Sequence, residues 1–165
     1  MSVEPEAHFR GLESMYAGAP INRTIPCRLK VRHQSAEVRM EVGREYWHAA
    51  GAMHGSLYFK ALDDAAFFAA NSIVLDTLVL TARFEVKLLA PISSTAMCAV
   101  GQLDRHNGRK LEASSTLYVE EQIVAKGCGL FIVSSHTLAD LPDYRRGAER
   151  ATPRSSDPQQ MGTAP

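Results

Sequence analysis

Two adjacent aspartates, Asp63 and Asp64, lie inside the longest apolar stretch of the chain, which runs from Met53 to Ser72. The stretch lacks helix-breaking residues beyond its first turn, so it predicts one helix of roughly four turns, about 24 Å long. On a helical projection Asp63 points between Phe59 and Phe67. A carboxyl group among apolar side chains is desolvated, which raises its pKa toward the range of a general base. Asp63 is therefore the first candidate for a catalytic group.

A structural ion pair is the alternative role for Asp63, with an arginine from a strand as its partner. Asp64 instead shares a narrow polar stripe with Lys60 and Asn71, which predicts a side that faces solvent. We expect Asp64 to be solvated and to form an (i, i+4) pair with Lys60, which contributes about 0.5 kcal/mol to stability.

The turn before this helix is the second candidate for chemistry. Its small residues, Gly51, Gly55 and Ser56, let a ligand approach the backbone closely. Free N–H groups at a helix N-terminus attract an oxyanion or a polarised carbonyl oxygen. We expect Ser56 to cap the helix. His54 is a weaker candidate because a lone histidine in a turn more often bonds to the backbone, but it stands at the mouth of the helix.

The turn His54-Gly55-Ser56 with an aspartate nine positions after the histidine resembles the hotdog-fold acyl-CoA thioesterases. The similarity is to the branch that contains the phenylacetate-pathway and hydroxybenzoyl-CoA thioesterases, and it covers residues 25–133. The resemblance implies that the Gly55 N–H polarises the thioester carbonyl. It also implies that Asp63 activates water or attacks the carbonyl directly. His54 would support the turn or touch the thioester.

Three positions depart from the pattern of that branch. Ser56 replaces the second glycine of the His-Gly-Gly turn. His48 stands where many relatives carry Asn or Gln, which orients the substrate or the attacking water. Phe67 stands where some relatives have a hydroxyl residue near the acid. The role of His48 and the choice between base and nucleophile therefore stay open.

Several other residues are candidates for substrate binding, although each has an ordinary structural alternative. The acyl pocket would be lined by Trp47, Met53, Phe59 and Phe67, with Ser56 at the turn. The alternative is that the four large side chains belong to the hydrophobic core, which is the commoner location of such residues. The basic residues on strands and turns that could bind the phosphates of coenzyme A are Arg83, Arg105, Arg109 and Lys110. The alternative is that each of them is a solvated surface charge.

Alternating apolar and polar residues predict two strands before the central helix and four after it. The predicted strands are 25–31, 38–42, 80–88, 95–103, 110–120 and 122–133. This order predicts an α+β fold, in which a curved antiparallel sheet wraps around the helix, and it agrees with the hotdog fold. The resemblance further implies a homodimer or homotetramer with its sites between protomers, and residues 77–89 are a candidate edge strand.

The chain divides into three predicted segments. Residues 1–24 hold a short amphipathic helix, 5–17, that covers an edge. Residues 25–136 form the hotdog domain. Residues 137–165 are rich in Pro, Arg, Ser and Gln without apolar periodicity, which predicts a disordered tail.

Composition excludes several classes of function. The 165 residues carry 18 basic and 18 acidic side chains, so no general attraction to nucleic acid or membrane is expected. We find no apolar run of membrane-spanning length and no signal-peptide pattern. The three cysteines are far apart without metal-ligand spacing, which predicts reduced thiols, a cytoplasmic location and no metal. We predict no cofactor, and neither a phosphate loop nor a nucleophile elbow is present.

The leading hypothesis is therefore hydrolysis of an acyl-CoA thioester to a carboxylic acid and free coenzyme A. The alternative is a non-catalytic hotdog protein that binds acyl-CoA as a sensor or scaffold. A hotdog dehydratase is a third possibility, but the proline-containing loop usual in that branch is not evident.

Overall fold

The computed structural model describes residues 4–152. Six antiparallel strands form one curved sheet in the order β1-β2-β4-β5-β6-β3. The strands are β1 (Cys27–Arg32), β2 (Ser35–Glu41), β3 (Thr77–Leu88), β4 (Ala96–Asn107), β5 (Lys110–Val119) and β6 (Gln122–Thr137). The helices are α1 (Pro5–Gly18), α2 (Ile21–Thr24), α3 (Gly55–Asn71) and α4 (Pro142–Ala151). The predicted α+β hotdog architecture is confirmed, with β3 at one edge of the sheet.

The central helix α3 lies against the inner face of the sheet. Half of its buried residues are alanines, which let the helix backbone approach the strands closely. Gly101 of β4 marks the closest approach, because a β-carbon there would overlap the carbonyl group of Ala65. His54, rather than Ser56, caps the helix, since its ring nitrogen Nδ1 accepts from the Ser56 N–H at 3.2 Å.

The N-terminal helix α1 covers the opposite edge of the sheet, as predicted. Its apolar residues Phe9, Leu12 and Tyr16 are buried in one cluster. Glu13 accepts a hydrogen bond from the backbone N–H of Val31 at 2.8 Å, which satisfies a donor of the edge strand β1.

The C-terminal segment corrects the prediction of a disordered tail. Residues 142–151 form α4, which packs against α1 and buries Tyr144. The Tyr144 hydroxyl lies 2.7 Å from Nδ1 of His8, a fully buried residue. The Nε2 of His8 lies 2.9 Å from the carbonyl oxygen of Asn71, so the ring joins α1, α3 and α4. Residues 153–165, also predicted to be disordered, lie outside the described residues.

The tail prediction failed because α4 has too few apolar residues to give a recognisable stripe. It docks instead through one aromatic ring and one close contact at Gly147, where a β-carbon would meet Ser14 and the Arg10 backbone. Within residues 4–152, no helix has both the length and the apolar character needed to cross a membrane.

Tyr144→Ala should lower the free energy of unfolding by about 3–5 kcal/mol, because it removes a buried ring and the hydroxyl that bonds to His8. Tyr144→Phe keeps the ring and should cost only about 1–2 kcal/mol. Chemical denaturation measures both. Equal stability of wild type and Tyr144→Ala would show that α4 does not dock.

Candidate active site

A cleft of about 360 Å³ opens at the N-terminus of α3. The loop that forms one wall is fixed by two backbone hydrogen bonds, Met53 N–H to Ile92 at 2.8 Å and His54 N–H to Tyr46 at 2.9 Å. The residues that line the cleft come from this loop, from α3 and from the end of β3: His48, Met53, Gly55, Tyr58, Leu88, Leu89, Ala90 and Pro91.

Gly55 supplies a free backbone donor in this cleft. The N–H groups on either side of it are occupied, that of His54 by Tyr46 and that of Ser56 by the His54 ring. Among the described residues, the Gly55 N–H has no hydrogen-bond partner. It lies at the positive end of the α3 dipole, where a partly negative oxygen is stabilised.

Packing within the protomer does not require a glycine at position 55. A β-carbon there would meet only Leu88, at an ordinary contact distance of 3.8 Å. The absence of a side chain therefore leaves open space in front of the free N–H group, which a ligand atom can occupy.

The two histidines of the loop have different surroundings. The Nδ1 of His54 lies 2.8 Å from the Ser56 hydroxyl, and the ring faces solvent outside the cleft lining. His48 lines the cleft, and its Nδ1 accepts the N–H of Ala50 at 3.1 Å. A neutral ring that accepts at Nδ1 carries its proton on Nε2. His48 can therefore donate a hydrogen bond from Nε2 to a molecule in the cleft.

Asp63 lies two turns further along α3, facing β3. Burial raises the pKa of its carboxyl group to about 6, and the nearby Asp64 charge adds to the rise. The Thr81 hydroxyl donates to Oδ1 at 3.1 Å, which opposes the rise. Within residues 4–152 Asp63 forms no ion pair, so the predicted structural pair with an arginine is wrong. A carboxyl group of this kind can accept a proton near neutral pH.

Thr81 was missed by sequence reasoning, which looked for a hydroxyl only at the helical position of Phe67. The strand β3 supplies one instead, because its register brings Thr81 beside α3. Position 81 is one polar residue in an alternating strand, so the sequence holds no signal that would single it out.

The predicted pocket residues divide between cleft, surface and core. Met53 lines the cleft. Phe59 is 45% exposed and meets Phe84 edge-to-face at 5.5 Å, whereas Phe67 packs half-buried against Phe68 and Phe131. Trp47 also packs against the core and carries the Arg44 guanidinium over its ring at 5.1 Å.

One protomer does not bring Gly55 and Asp63 together. They are eight residues apart on the same helix, which separates them by about 12 Å along its axis. Asp63 is also not among the residues that line the cleft. A single thioester bond cannot contact both groups of the same chain.

The predicted phosphate-binding residues lie far from the cleft. Arg105, Arg109 and Lys110 surround the β4–β5 turn, where Lys110 pairs with Ile132 of β6. Ile132 pairs in turn with Leu80, and Leu88 at the cleft lies about 27 Å further along β3. Arg83 is exposed on β3, two residues after Thr81.

Two other lysines lie near the end of β3 that borders the cleft, on the outer face of the sheet. Lys87, next to Leu88, pairs directly with Lys126 of β6. Both side chains are exposed, and neither forms an ion pair within the described part of the chain. Sequence reasoning missed them because only the register of β3 and β6 makes them neighbours. Among the described residues, no group of three or more His, Cys, Asp or Glu side chains could hold a metal ion.

A family model of the thioesterase superfamily matches residues 50–126, which include the turn, α3 and the wall of the cleft. This segment of the chain is therefore similar to the thioesterase superfamily. A comparison with curated proteins gave no match.

Solved structures of the same fold include several bacterial proteins. The PaaI protein of the Escherichia coli phenylacetic acid degradation operon superposes with a TM-score of 0.73 and 17% identity over 82% of this chain and 99% of its own. A thioesterase family protein from Silicibacter pomeroyi superposes with a TM-score of 0.69 and 21% identity, over 74% of this chain and 97% of its own. A conserved protein from Pseudomonas aeruginosa superposes with a TM-score of 0.68 and 20% identity, over 74% of this chain and 98% of its own. At these identities the likeness establishes the fold.

Asp63→Asn should raise the melting temperature at pH 7.5 by about 2–4 °C. This is the change that a gain of about 1 kcal/mol in the free energy of unfolding produces in a domain of this size. The folded-state pKa of about 6 exceeds the ordinary value of 3.8, so ionisation of Asp63 costs stability as pH rises through about 6. Asparagine removes this cost. At pH 3.5 the carboxyl group is protonated in the folded state, and the two proteins should melt within about 1 °C of each other.

Asp104→Asn is the matched control, because it makes the same chemical change on the exposed side of β4. It should shift the melting temperature by less than about 1 °C at both pH values. A lower melting temperature for Asp63→Asn at pH 7.5 would contradict the inferred destabilisation.

Proposed function

We propose that this protein hydrolyses the thioester of an acyl-coenzyme A. The match of residues 50–126 to a family model of the thioesterase superfamily supports thioester hydrolysis in general. The observation that carries the proposal is the free Gly55 N–H in an open cleft, on the same helix as a carboxyl group whose pKa is raised to about 6.

In the proposed reaction the Gly55 N–H donates to the thioester carbonyl oxygen. This contact strengthens as the oxygen gains negative charge in the transition state. The Asp63 carboxylate takes a proton from water, whose oxygen attacks the carbonyl carbon, or it attacks the carbon itself and forms a mixed anhydride that water then cleaves. In both routes the carbon–sulfur bond breaks and the coenzyme A thiolate leaves. His48 would orient the carbonyl group or the water through its Nε2–H.

A second copy of the chain is required, because Gly55 and Asp63 of one protomer lie too far apart. We propose that β3, an edge strand, pairs with β3 of the partner and brings Gly55 of one chain to Asp63 of the other. Apolar side chains at this edge support the pairing, since they are half or nearly half exposed in the protomer: Phe59 45%, Leu80 50%, Leu88 55% and Leu89 47%. Phe59 would then contribute to the acyl pocket.

The proposed coenzyme specificity rests on Lys87 and Lys126. Like charges directly opposite each other in a sheet repel, and no described acidic side chain neutralises this pair through an ion pair. A phosphate group relieves such repulsion. The pair is one residue from Leu88 of the cleft, on the opposite face of the sheet, so the phosphates of coenzyme A would pass the end of the edge strand β3 to reach it while the thioester occupies the cleft.

Gly55→Pro and Asp63→Asn should each lower thiol release from acyl-CoA by at least about 10²-fold. Proline removes the N–H group without straining the backbone, since it is favoured at the first helical position and His54 already has the extended backbone, φ −66° and ψ 139°, that precedes proline. It also adds side-chain atoms, which a control separates from the loss of the N–H group. The matched control Gly55→Ala retains the N–H. Thiol release over short, long and aromatic acyl-CoAs measures the activity.

Mixing the two inactive variants tests the shared site. When protomers exchange at random, half of the dimers are mixed, and each mixed dimer has one intact site, so about a quarter of wild-type activity should return. No recovery, despite exchange demonstrated by mass spectrometry, would contradict a site between protomers. If the wild-type protein binds acyl-CoA but releases no thiol, the result would favour the alternative function, a non-catalytic sensor or scaffold that binds acyl-CoA.

Lys87→Gln and Lys126→Gln should each raise KM for an acyl-CoA about fivefold at low ionic strength, the equivalent of about 1 kcal/mol. The KM for the same acyl group on N-acetylcysteamine, which lacks phosphates, should not change. Arg28→Gln is the control, because it removes an exposed cation from β1, away from the cleft. Equal effects on both substrates would rule out phosphate recognition by the pair.

A further inference from the structure

A buried polar cluster lies beside Asp63, on the side of α3 that was predicted to face solvent. The Asp64 carboxylate accepts from Lys60 Nζ at 2.5 Å and from the Tyr16 hydroxyl at 2.7 Å. The side chains of Lys60 and Asp64 are only 14% and 21% exposed, and Tyr16 is 5% exposed. The helix α1 therefore covers this ion pair, which corrects the expectation of a solvated stripe.

The geometry of the cluster fixes where its charges are. Tyr16 packs edge-to-face against Phe68 at 5.2 Å, which holds its hydroxyl in position. Burial and the neighbouring Asp64 carboxylate raise the pKa of Tyr16, so the phenol stays protonated and donates. Lys60 Nζ lies 5.2 Å from the centre of the Tyr16 ring, a cation–π contact that adds to its fixed position.

Asp63 lies between these two charges in the sequence of the helix. Asp64 is the next residue, and Lys60 is three residues earlier, so both are within about one turn. On β3, the Thr81 hydroxyl bonds to Asp63, and the exposed Arg83 is two residues further along the strand. Neither charge of the cluster touches the carboxyl group of Asp63 itself. Their influence on it is therefore electrostatic.

We propose that Tyr16, Lys60 and Asp64 are positioning residues that keep two opposite charges in balance beside Asp63, on the side of α3 covered by α1, so that neither charge alone shifts its protonation state. This inference rests on the proposed function, in which ionised Asp63 is the reactive group. The cation and the anion of the pair act on Asp63 with opposite signs and nearly cancel. Tyr16 preserves the balance, because it keeps Asp64 ionised and beside Lys60.

The two charges predict opposite changes in the pH profile. Without the cation of Lys60, the Asp64 anion disfavours ionisation of Asp63, so the acidic limb of kcat/KM moves to higher pH. Without the anion of Asp64, the Lys60 cation favours ionisation, so the limb moves to lower pH. Each shift should be about 0.5–1 pH unit. A merely structural role would lower stability or activity without shifting the limb in opposite directions.

The experiment compares Lys60→Met, Asp64→Asn and the double variant in the full-length protein. Lys60→Met should move the acidic limb to higher pH, and Asp64→Asn should move it to lower pH. In the double variant the two effects cancel, so the limb should lie within about 0.3 pH unit of wild type. Tyr16→Phe should give a smaller shift in the direction of Asp64→Asn, because Asp64 loses the hydroxyl that favours its ionised form. Glu6→Gln is the matched control, because it removes one member of a mostly exposed (i, i+4) pair on α1 and should leave the limb in place.

A titration of the Asp63 carboxyl carbon by NMR, assigned with Asp63→Asn, gives a readout that does not need activity. Opposite shifts of this carbon in the single variants support the inference whether or not thioesters are hydrolysed. If the carbon shifts but the kinetic limb does not, Asp63 is not the reactive group and the proposed function fails. Shifts of both single variants in the same direction, or no shift of the carbon, would overturn the inference.

Discussion

Enclosure of α3 by the curved sheet is the constraint on which the rest of this structure depends. A helix that is buried on most sides must present small residues to the strands, and both the alanines of α3 and Gly101 of β4 meet that requirement. Enclosure also fixes the N-terminus of the helix against the end of β3. The Gly55 N–H is then held in the mouth of a cleft with no internal partner among the described residues.

The same enclosure raises the pKa of Asp63. A carboxyl group on an exposed helix would keep its ordinary pKa, whereas here it lies between the helix and β3, and the Thr81 hydroxyl and the Lys60 charge oppose the rise only in part. The ionised form therefore costs folding stability. A carboxyl group that lowers folding stability when it ionises, at a position facing an open strand edge, is typical of a functional group. A carboxyl group with a structural role would instead form an ion pair with a basic side chain.

The terminal helices extend this electrostatic arrangement beyond the sheet. On one side of α3, α1 covers the Lys60–Asp64 pair and adds the Tyr16 hydroxyl. At the C-terminal end, His8 joins the Asn71 carbonyl to Tyr144 of α4. The two contacts belong to opposite ends of α1, so this helix holds α3 from near its middle to its last turn. The terminal segments are thus part of the support for the central helix.

The sequence by itself determined the architecture, because its signals are local. Strand alternation and one long apolar helix depend on neighbouring residues, and the six strands were predicted within a few residues of their observed ends, apart from longer extensions of β4 and β6. The choice of Asp63 over Asp64 followed from helical phase. The spacing from His54 to Asp63 carried the family resemblance, and a family model of the thioesterase superfamily matches residues 50–126.

The tertiary structure alone decided which groups are neighbours. Strand register placed Thr81 beside Asp63 and Lys126 beside Lys87, pairs that no sequence period connects. It also separated the basic β4–β5 turn from the cleft. Burial of Asp64 beneath α1 and docking of α4 were missed for the same reason. Each depends on contacts between segments far apart in the chain, and such contacts leave no periodic signal in either segment.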